Sequence, residues 1–205
     1  GGQAPEIAKE FFGEDITAEW LGAACNAIDG CELKIASATD TEIGIECDND
    51  SKGLMVTRNF VRRQDGSLAV KNELFEIEKD SPLNGQGTSM LANQIAALRK
   101  MGVLIMYTVA AGDGNGTDEI EGMNGFYTWP RLGYNGPLSG SKISSFISRA
   151  RGVDQDEVRK LTRQLPVGSQ VQIQDLFKLP NGKEMWRRYG STIRLTFDLS
   201  DDSEN

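Results

Sequence analysis

The feature that most constrains the fold is a change in hydrophobic pattern within residues 68–110. Leu68 to Glu78 is the longest strand candidate, and a short loop with two glycines follows it. Thr88 to Lys100 then carries apolar residues at the spacing of an amphipathic helix. Val103 to Val109 is almost uninterrupted apolar sequence, typical of a strand inside a sheet. This order predicts a βαβ crossover over residues 68–110.

The segment before the crossover predicts helices followed by an antiparallel meander. Residues 5–12 and 17–28 have the pattern of short helices. Residues 32–78 contain about four apolar stretches separated by turn signals, which favours antiparallel strands. We therefore expect an α+β fold.

The segment after the crossover is predicted to be mainly helical. Residues 139–165 carry helical spacing, with Asp154 as the expected cap, while residues 171–179 are ambiguous. Asn181–Gly182 is predicted to be a turn, and Thr192 to Leu199 alternates as a final strand.

The composition excludes several kinds of chemistry. The chain contains no histidine, which excludes Ser-His-Asp and Cys-His catalysis, histidine zinc sites and histidine general bases. Any reaction must use Asp, Glu, Tyr, Lys, Cys, backbone amides or water. The formal net charge of −8 disfavours a nucleic-acid partner, because phosphate contacts need clustered Lys and Arg.

The cysteines and the termini bear on location. Cys25, Cys31 and Cys47 are odd in number and form no Cys-x-x-Cys pair, so we expect reduced, buried thiols. No signal peptide or long apolar run is visible, which predicts a cytoplasmic location without a membrane partner. The Gly1–Gly2 start suggests a domain of a larger protein, and residues 201–205 are expected to form a disordered acidic tail.

The strongest local motif is the Gly-x-Gly of Gly85 and Gly87 between the long strand and the helix. Glycines let a backbone approach a ligand, and the first turn of a helix presents unpaired N–H groups that suit a pyrophosphate. By itself the fragment is also compatible with a plain tight turn. It lacks the Gly-Lys-Ser/Thr ending of a Walker A motif, and the third glycine of a Rossmann fingerprint falls on Met90.

The order of elements around this motif resembles the GNAT acyltransferase superfamily. The coenzyme A signature of that family, Gln/Arg-x-x-Gly-x-Gly/Ala, matches Gly85 and Gly87, whereas Pro82 departs from it at the first position. The resemblance covers about residues 5–135 and the last strand. It implies one three-layer α/β/α domain over residues 1–200, with a mixed, mostly antiparallel sheet and a helical insertion at about 139–182.

The resemblance also implies a function. GNAT proteins use an acyl-CoA cosubstrate, commonly acetyl-CoA, and no metal, to acylate an amine of a small molecule or a protein. Their pantetheine arm lies against the backbone of the long strand, and their pyrophosphate lies on the glycine loop. The implied cofactor-binding positions are Ile77, Glu78, Lys79, Asn84, Gly85, Gln86, Gly87 and Thr88.

Candidate catalytic residues follow from the same resemblance. Tyr127, in the segment Asn124-Gly125-Phe126-Tyr127, matches the family's acid that protonates the departing thiolate. Glu73 matches the base of histone-acetylating members, and Glu76 is the second carboxylate considered. Strand alternation is expected to place Glu73, Phe75 and Ile77 on one face and Leu74, Glu76 and Glu78 on the other.

Each of these residues is also compatible with a purely structural role. Tyr127 is also compatible with a packing aromatic, and both glutamates with solvated strand carboxylates. Arg131 is a candidate for holding an anion in an acceptor pocket, next to a Trp129 that also suits the edge of the core. The acidic residues of 113–121 and the basic residues of 149–163 are compatible with solvated surface.

Two other functions remain open. The chain is compatible with a GNAT-like binding or assembly module that has lost catalysis, because Pro82 and the insertion depart from the family. It is also compatible with an unrelated α+β structural domain in which Gly85–Gly87 is only a turn. The amine acceptor is not identified by any motif.

Overall fold

The computed structural model describes residues 4–13, 16–114, 124–150 and 152–200. The chain forms two compact units, the first running to Tyr107 and taking in the residues after Phe197, the second running from Thr108 to Phe197. The single domain predicted over residues 1–200 stays a prediction. The predicted tail at 201–205 and most of the acidic segment 113–121 lie outside the described residues.

The first unit contains the predicted helices and the meander. Its second helix is shorter than the predicted 17–28, because Asn26 has φ of 60° and turns the chain toward the sheet. Its elements are α1 (Ala4–Phe12), α2 (Ala18–Ala24), β1 (Glu32–Ala38), β2 (Glu42–Asn49), a short 3-10 helix (Asp50–Lys52), β3 (Leu54–Arg62), β4 (Leu68–Ile77), α3 (Gly87–Lys100) and the first part of β5 (Val103–Asp113).

The second unit is mainly helical, as predicted. The predicted cap at Asp154 is wrong, because Gly152 precedes the helix there with φ of 55°. Asn181–Gly182, predicted to be a turn, opens a helix instead. The elements are α4 (Gly125–Arg131), α5 (Gly140–Arg149), α6 (Val153–Gln164), α7 (Ile173–Phe177), α8 (Gly182–Tyr189) and β6 (Ser191–Asp198).

The six strands form one sheet in the order β1-β2-β3-β4-β5-β6. The pairs from β1 to β4 are antiparallel, which confirms the predicted meander. The connection from β4 through α3 to β5 is the predicted crossover, and the sheet is mixed and mostly antiparallel. The predicted α+β class is therefore confirmed.

One face of the meander forms the core of the first unit. Val56, Arg58 and Phe60 of β3 are fully buried on this face, since alternate residues of a strand share a side. The ring of Phe12 in α1 meets that of Phe60 at 4.9 Å, edge to face. Leu98 of α3 is also fully buried. Each such apolar side chain stabilises the fold by about 1.5–3 kcal/mol.

Aromatic contacts organise the second unit. Trp186 of α8 is buried and stacks on Phe146 of α5, with 6.0 Å between ring centroids. Tyr134 is fully buried, 5.0 Å from the ring of Trp129 and 5.2 Å from that of Phe197. These rings hold short helices together that are individually too short to be stable.

Strand β4 contains one extra residue relative to β3. Thr57 pairs with Leu74, but the next residue, Arg58, pairs with Asn72, so Glu73 is left over as a β-bulge. A bulge interrupts the ladder and redirects the side chains next to it. The strict alternation expected from the sequence therefore cannot continue through Glu73.

The bulge changes the face on which Glu73 lies. Its carboxylate forms an ion pair with Lys71 and accepts a hydrogen bond from Asn59 Nδ2 at 3.3 Å. Asn59 pairs with Lys71 on the face opposite the core. The predicted grouping of Glu73 with Phe75 and Ile77 is therefore wrong, because a non-local register shift breaks the local alternation.

A buried guanidinium stabilises the strands at this bulge. Arg58 Nη1 donates to the backbone oxygens of Leu74 at 2.5 Å and of Thr57 at 3.1 Å. Arg58 Nη2 donates to Asn26 Oδ1 at 2.9 Å, and Asn26 Nδ2 donates to the Met90 carbonyl at 2.6 Å. One fully buried side chain thus connects β3, β4, the residues after α2 and helix α3.

A second buried amide extends this network. Gln94 of α3 donates from Nε2 to the Ala24 carbonyl and to Asn72 Oδ1, both at 3.1 Å. The Arg58 guanidinium carbon lies 5.6 Å from the centre of the Phe75 ring. Buried polar groups are costly unless they are hydrogen-bonded, so this set of residues specifies one arrangement of helices on the sheet.

We expect Arg58→Met to lower the free energy of unfolding by about 2–5 kcal/mol, because the oxygens that Arg58 serves would stay buried without their donor. The control is Arg63→Met, which removes a guanidinium that is about half exposed and should change stability by less than about 0.5 kcal/mol. Urea titration followed by circular dichroism measures both. Equal losses in the two variants would contradict the role given to Arg58.

Candidate functional site

The loop that joins β4 to α3 is closed by its own hydrogen bonds. The N–H of Glu78 donates to the Gly53 carbonyl at 2.8 Å, which continues the pairing with β3 beyond the end of β4. The Glu78 carbonyl accepts from Ser81 N–H at 3.0 Å and from Asn84 Nδ2 at 3.3 Å. Asn84 Nδ2 also donates to the Lys79 carbonyl at 2.5 Å. The Asn84 side chain therefore stabilises the conformation of this loop.

These bonds bear on the backbone contacts expected for pantetheine. Along a strand, successive residues direct their N–H and C=O groups to opposite neighbours. The backbone N–H of Glu78 points toward β3, so the backbone N–H and C=O of Ile77 point to the other side of β4. Of the three predicted positions, Ile77 is thus best oriented for backbone hydrogen bonds to pantetheine. The same bonds at Glu78 would require the loop's own hydrogen bonds to break.

The two glycines lie where the loop enters α3. Gly85 has φ of 85°, which favours glycine, and open space surrounds the position that a Cβ would take. Gly87 begins the helix, with 3.9 Å from its Cβ position to the Phe75 ring. Gln86 makes no side-chain cap, and both Gln86 and Thr88 are exposed. The first turn of α3 is therefore accessible from solvent.

The predicted base Glu73 belongs to a polar row that crosses four strands. Asn59 Nδ2 donates to Glu42 Oε1 at 2.8 Å as well as to Glu73, and Lys71 pairs with Glu73. Tyr107 of β5 lies near this row. Burial raises its pKa, Lys71 opposes the rise, and the carboxylates of Glu42 and Glu73 add to it. Two carboxylates, an amide, an ammonium and a phenol thus share one face.

Sequence reasoning identified only part of this row. Glu76 lies opposite Met55 and is exposed, so the bulge brings Glu73 and Glu76 to the same face of the sheet. Glu42, Asn59 and Tyr107 were not predicted, because only the pairing register shows that they lie beside Glu73.

Tyr127 belongs to the second unit and lines an open cleft of about 550 Å³. The guanidinium carbons of Arg131 and Arg187 lie 5.2 and 5.9 Å from the centre of its ring. Both distances are within the range of cation–π attraction. The cleft is lined by Gly114, Asn124, Phe126, Tyr127, Thr128, Arg131 and Arg187.

Backbone contacts position the two sides of this cleft. Trp186 Nε1 of α8 donates to the Phe126 carbonyl of α4 at 2.7 Å. Gly114 N–H donates to the Gly190 carbonyl at 3.0 Å, and a Cβ at Gly114 would collide with the backbone oxygens of Arg187 and Arg188. Arg187 was missed by sequence reasoning because α8 was not predicted.

Cys25 and Cys47 are not suitable nucleophiles. Cys25 is fully buried, and this burial raises its pKa to about 12. Burial also raises the pKa of Cys47, with a further contribution from the neighbouring Cys31 thiol. A thiol attacks as its thiolate, which a raised pKa disfavours. The expectation of buried, reduced thiols is met by Cys25 and Cys47, while Cys31 is half-buried.

Within the described ranges, no group of three or more Cys, Asp or Glu side chains is arranged to hold a metal ion. No helix in the same part of the chain has the length and apolarity needed to cross a membrane.

Comparison with known proteins leaves the chain without an assigned family. No family model matches it, and no curated protein matches its sequence. The relation to GNAT acyltransferases therefore stays a proposal that rests on the order of elements and on the Gly-x-Gly motif.

We expect Cys25 to react with thiol reagents only when the protein is unfolded. At about pH 8, Cys25 should resist a disulfide reagent in the folded protein, because its raised pKa keeps it as the neutral thiol. In urea, all three cysteines should react. Cys25→Ala should lower the number of thiols that react in urea by one and leave the number that react in the folded protein unchanged. A lower number of reactive thiols in the folded variant would show that Cys25 reacts in the native fold.

Proposed function

We propose that the chain is an acyl-CoA-dependent N-acyltransferase, with acetyl-CoA as the expected donor and an amine of a small molecule or a protein as acceptor. The observation that carries the proposal is the exposed Gly85–Gly87 loop, which joins β4 to α3 within a crossover of a mixed sheet. We also propose a cytoplasmic location, because free thiols persist in a reducing compartment.

Donor binding is assigned to the end of β4 and the start of α3. The N–H groups at a helix N-terminus, with the positive end of the helix dipole behind them, favour the negative pyrophosphate of coenzyme A. Gly85 leaves room for the backbone to approach that group. The polar backbone groups of Ile77 are assigned to the pantetheine amides. Asn84 keeps the loop in shape between the two regions.

The transfer step requires a base for the amine and an acid for the thiol. The amine nitrogen forms a bond to the thioester carbonyl carbon, the carbon–sulfur bond breaks, and the amine loses a proton. Glu73 is the proposed base, directly or through water, because Lys71 and Asn59 hold its carboxylate. Glu76 is the second carboxylate of the same face. The resemblance assigns to Tyr127 the proton that the departing thiolate receives.

A binding module without catalysis is the second candidate. It is favoured by Pro82 at the first signature position and by the bonds of Asn84 to Glu78 and Lys79, which use backbone groups assigned to the cofactor. Such a module would bind acetyl-CoA and transfer no acyl group to any amine of a broad panel.

We expect calorimetric titration to detect acetyl-CoA binding and Gly85→Val to abolish it, because the side chain would occupy the approach to the backbone. Gly66→Val is a matched control. Gly66 has φ of 83° against 85° for Gly85, and both have open space at the Cβ position. The two variants therefore carry similar backbone strain, and only Gly85→Val should lose binding.

Two results would count against the donor site. Absence of binding at about millimolar acetyl-CoA would overturn the proposed function. Equal loss of binding in the two glycine variants would show that backbone strain, and not the loop surface, is responsible.

We expect Tyr127→Phe and Glu73→Gln each to lower turnover by about 10²-fold or more, with little change in acetyl-CoA affinity, because each removes a proton-transferring group. Tyr189→Phe is the control for the tyrosine. It too is half-buried, and the Arg188 guanidinium lies 5.9 Å from its ring. Steady-state kinetics with the best amine measures all three. Unchanged turnover in Tyr127→Phe would remove its role as acid.

A further inference from the structure

Two arginines line the described part of the cleft around Tyr127. The formal net charge of the chain is −8, yet the charged residues lining the cleft are Arg131 and Arg187, and the lining includes no carboxylate within the described ranges. A concave surface lined by one sign of charge raises the local concentration of ions of opposite sign. Arg131 and Arg187 therefore favour an anion.

The charges of the two arginines are incompletely compensated. Arg131 is exposed and, across the residues that the structure describes, has no carboxylate within 4.0 Å. Arg187, whose side chain is 64% exposed, faces Glu184 at 3.7 Å, but Arg188 faces the same carboxylate at 3.7 Å. One carboxylate between two guanidiniums leaves a net positive charge beside the cleft.

The Tyr127 ring lies beside both guanidiniums. Their carbons are 5.2 and 5.9 Å from its centre, which is within cation–π distance. The Trp186–Phe126 hydrogen bond fixes α8 against α4, so the two arginines are held on neighbouring elements before any ligand binds. A preorganised pair loses less side-chain entropy on binding than two independent side chains do.

Uncharged polar groups complete the lining. Thr128 Oγ1 donates to Asn124 Oδ1 at 3.0 Å, which presents a hydroxyl and a carboxamide at one side of the cleft. The volume of about 550 Å³ lies within the range of small-molecule sites and exceeds the need of a single inorganic ion. The cleft therefore has room for an organic part beside an anionic group.

We infer that this cleft binds a phosphate-bearing small molecule, with its phosphoryl group between Arg131 and Arg187. A phosphate monoester carries close to two negative charges at neutral pH, which matches two guanidiniums, whereas a carboxylate carries one. The planar fork of each guanidinium suits bidentate bonds to phosphoryl oxygens. The cleft shares Tyr127 with the proposed acyl transfer, but Arg131 and Arg187 have no assigned role in that reaction and lie outside the glycine loop.

The test is titration of the whole chain with inorganic pyrophosphate, with AMP and with citrate, at low and at physiological salt. Chemical-shift changes of the arginine side-chain N–H groups locate the bound anion. We expect Arg131→Gln and Arg187→Gln each to weaken AMP binding by about tenfold, and the double variant by more. Both side chains are exposed, so circular dichroism and thermal midpoints should remain unchanged.

The matched control is Arg159→Gln combined with Arg163→Gln. It removes the same two positive charges from exposed positions of α6 that do not line the cleft. This control should leave AMP affinity within about twofold, because exposed charges at a distance are screened by salt. Equal weakening in the control would mean that net charge, and not the cleft, attracts the anion, and would overturn the inference.

Other outcomes separate the inference from the proposed function. Failure of pyrophosphate and AMP to shift the Arg131 and Arg187 signals, or tighter binding of citrate than of AMP, would overturn it whatever acetyl-CoA does. If acetyl-CoA affinity falls in the double arginine variant as well as in Gly85→Val, the phosphate in the cleft belongs to the acyl-CoA. If it falls only in Gly85→Val, a separate phosphorylated molecule is the ligand.

Discussion

The buried guanidinium of Arg58 is the interaction on which the first unit depends. A bulge in β4 interrupts the ladder, and Arg58 donates to the backbone oxygens of Leu74 and Thr57 at that point. The same side chain reaches Asn26, and through it the Met90 carbonyl of α3. Desolvating a guanidinium is costly, so its partners must be placed together for the fold to be stable. The bulge and the position of α3 are thereby linked.

The bulge also decides which side chains can act together. Without the extra residue, Glu73 would share a face with Phe75 and point into the core. With it, Glu73 joins Lys71 and Asn59 on the opposite face, where carboxylates are accessible. The position of the proposed base therefore depends on Arg58, which has no assigned role in the proposed mechanism. A structural residue and a proposed functional one are connected here through two strands.

Sequence patterns predicted most elements but few of the contacts within the candidate sites. The meander, the crossover, α3 and the last strand follow from periodicity, which neighbouring residues determine. Helix α8 was missed because the turn signal of Asn181–Gly182 also serves as a helix start. Arg187 was missed with it. The backbone bond from Glu78 to Gly53 was not foreseen either, since Gly53 approaches it from a separate segment.

The sequence by itself determined the α+β class, the absence of histidine chemistry and the place of the glycines between a strand and a helix. Those features depend on residue type and on spacing over a few positions. Tertiary structure alone decided the face of Glu73, the burial of Arg58 and the approach of Arg187 to the Tyr127 ring. Each of these requires residues from distant segments to meet, and local periodicity carries no information about register or about helix-to-helix distance.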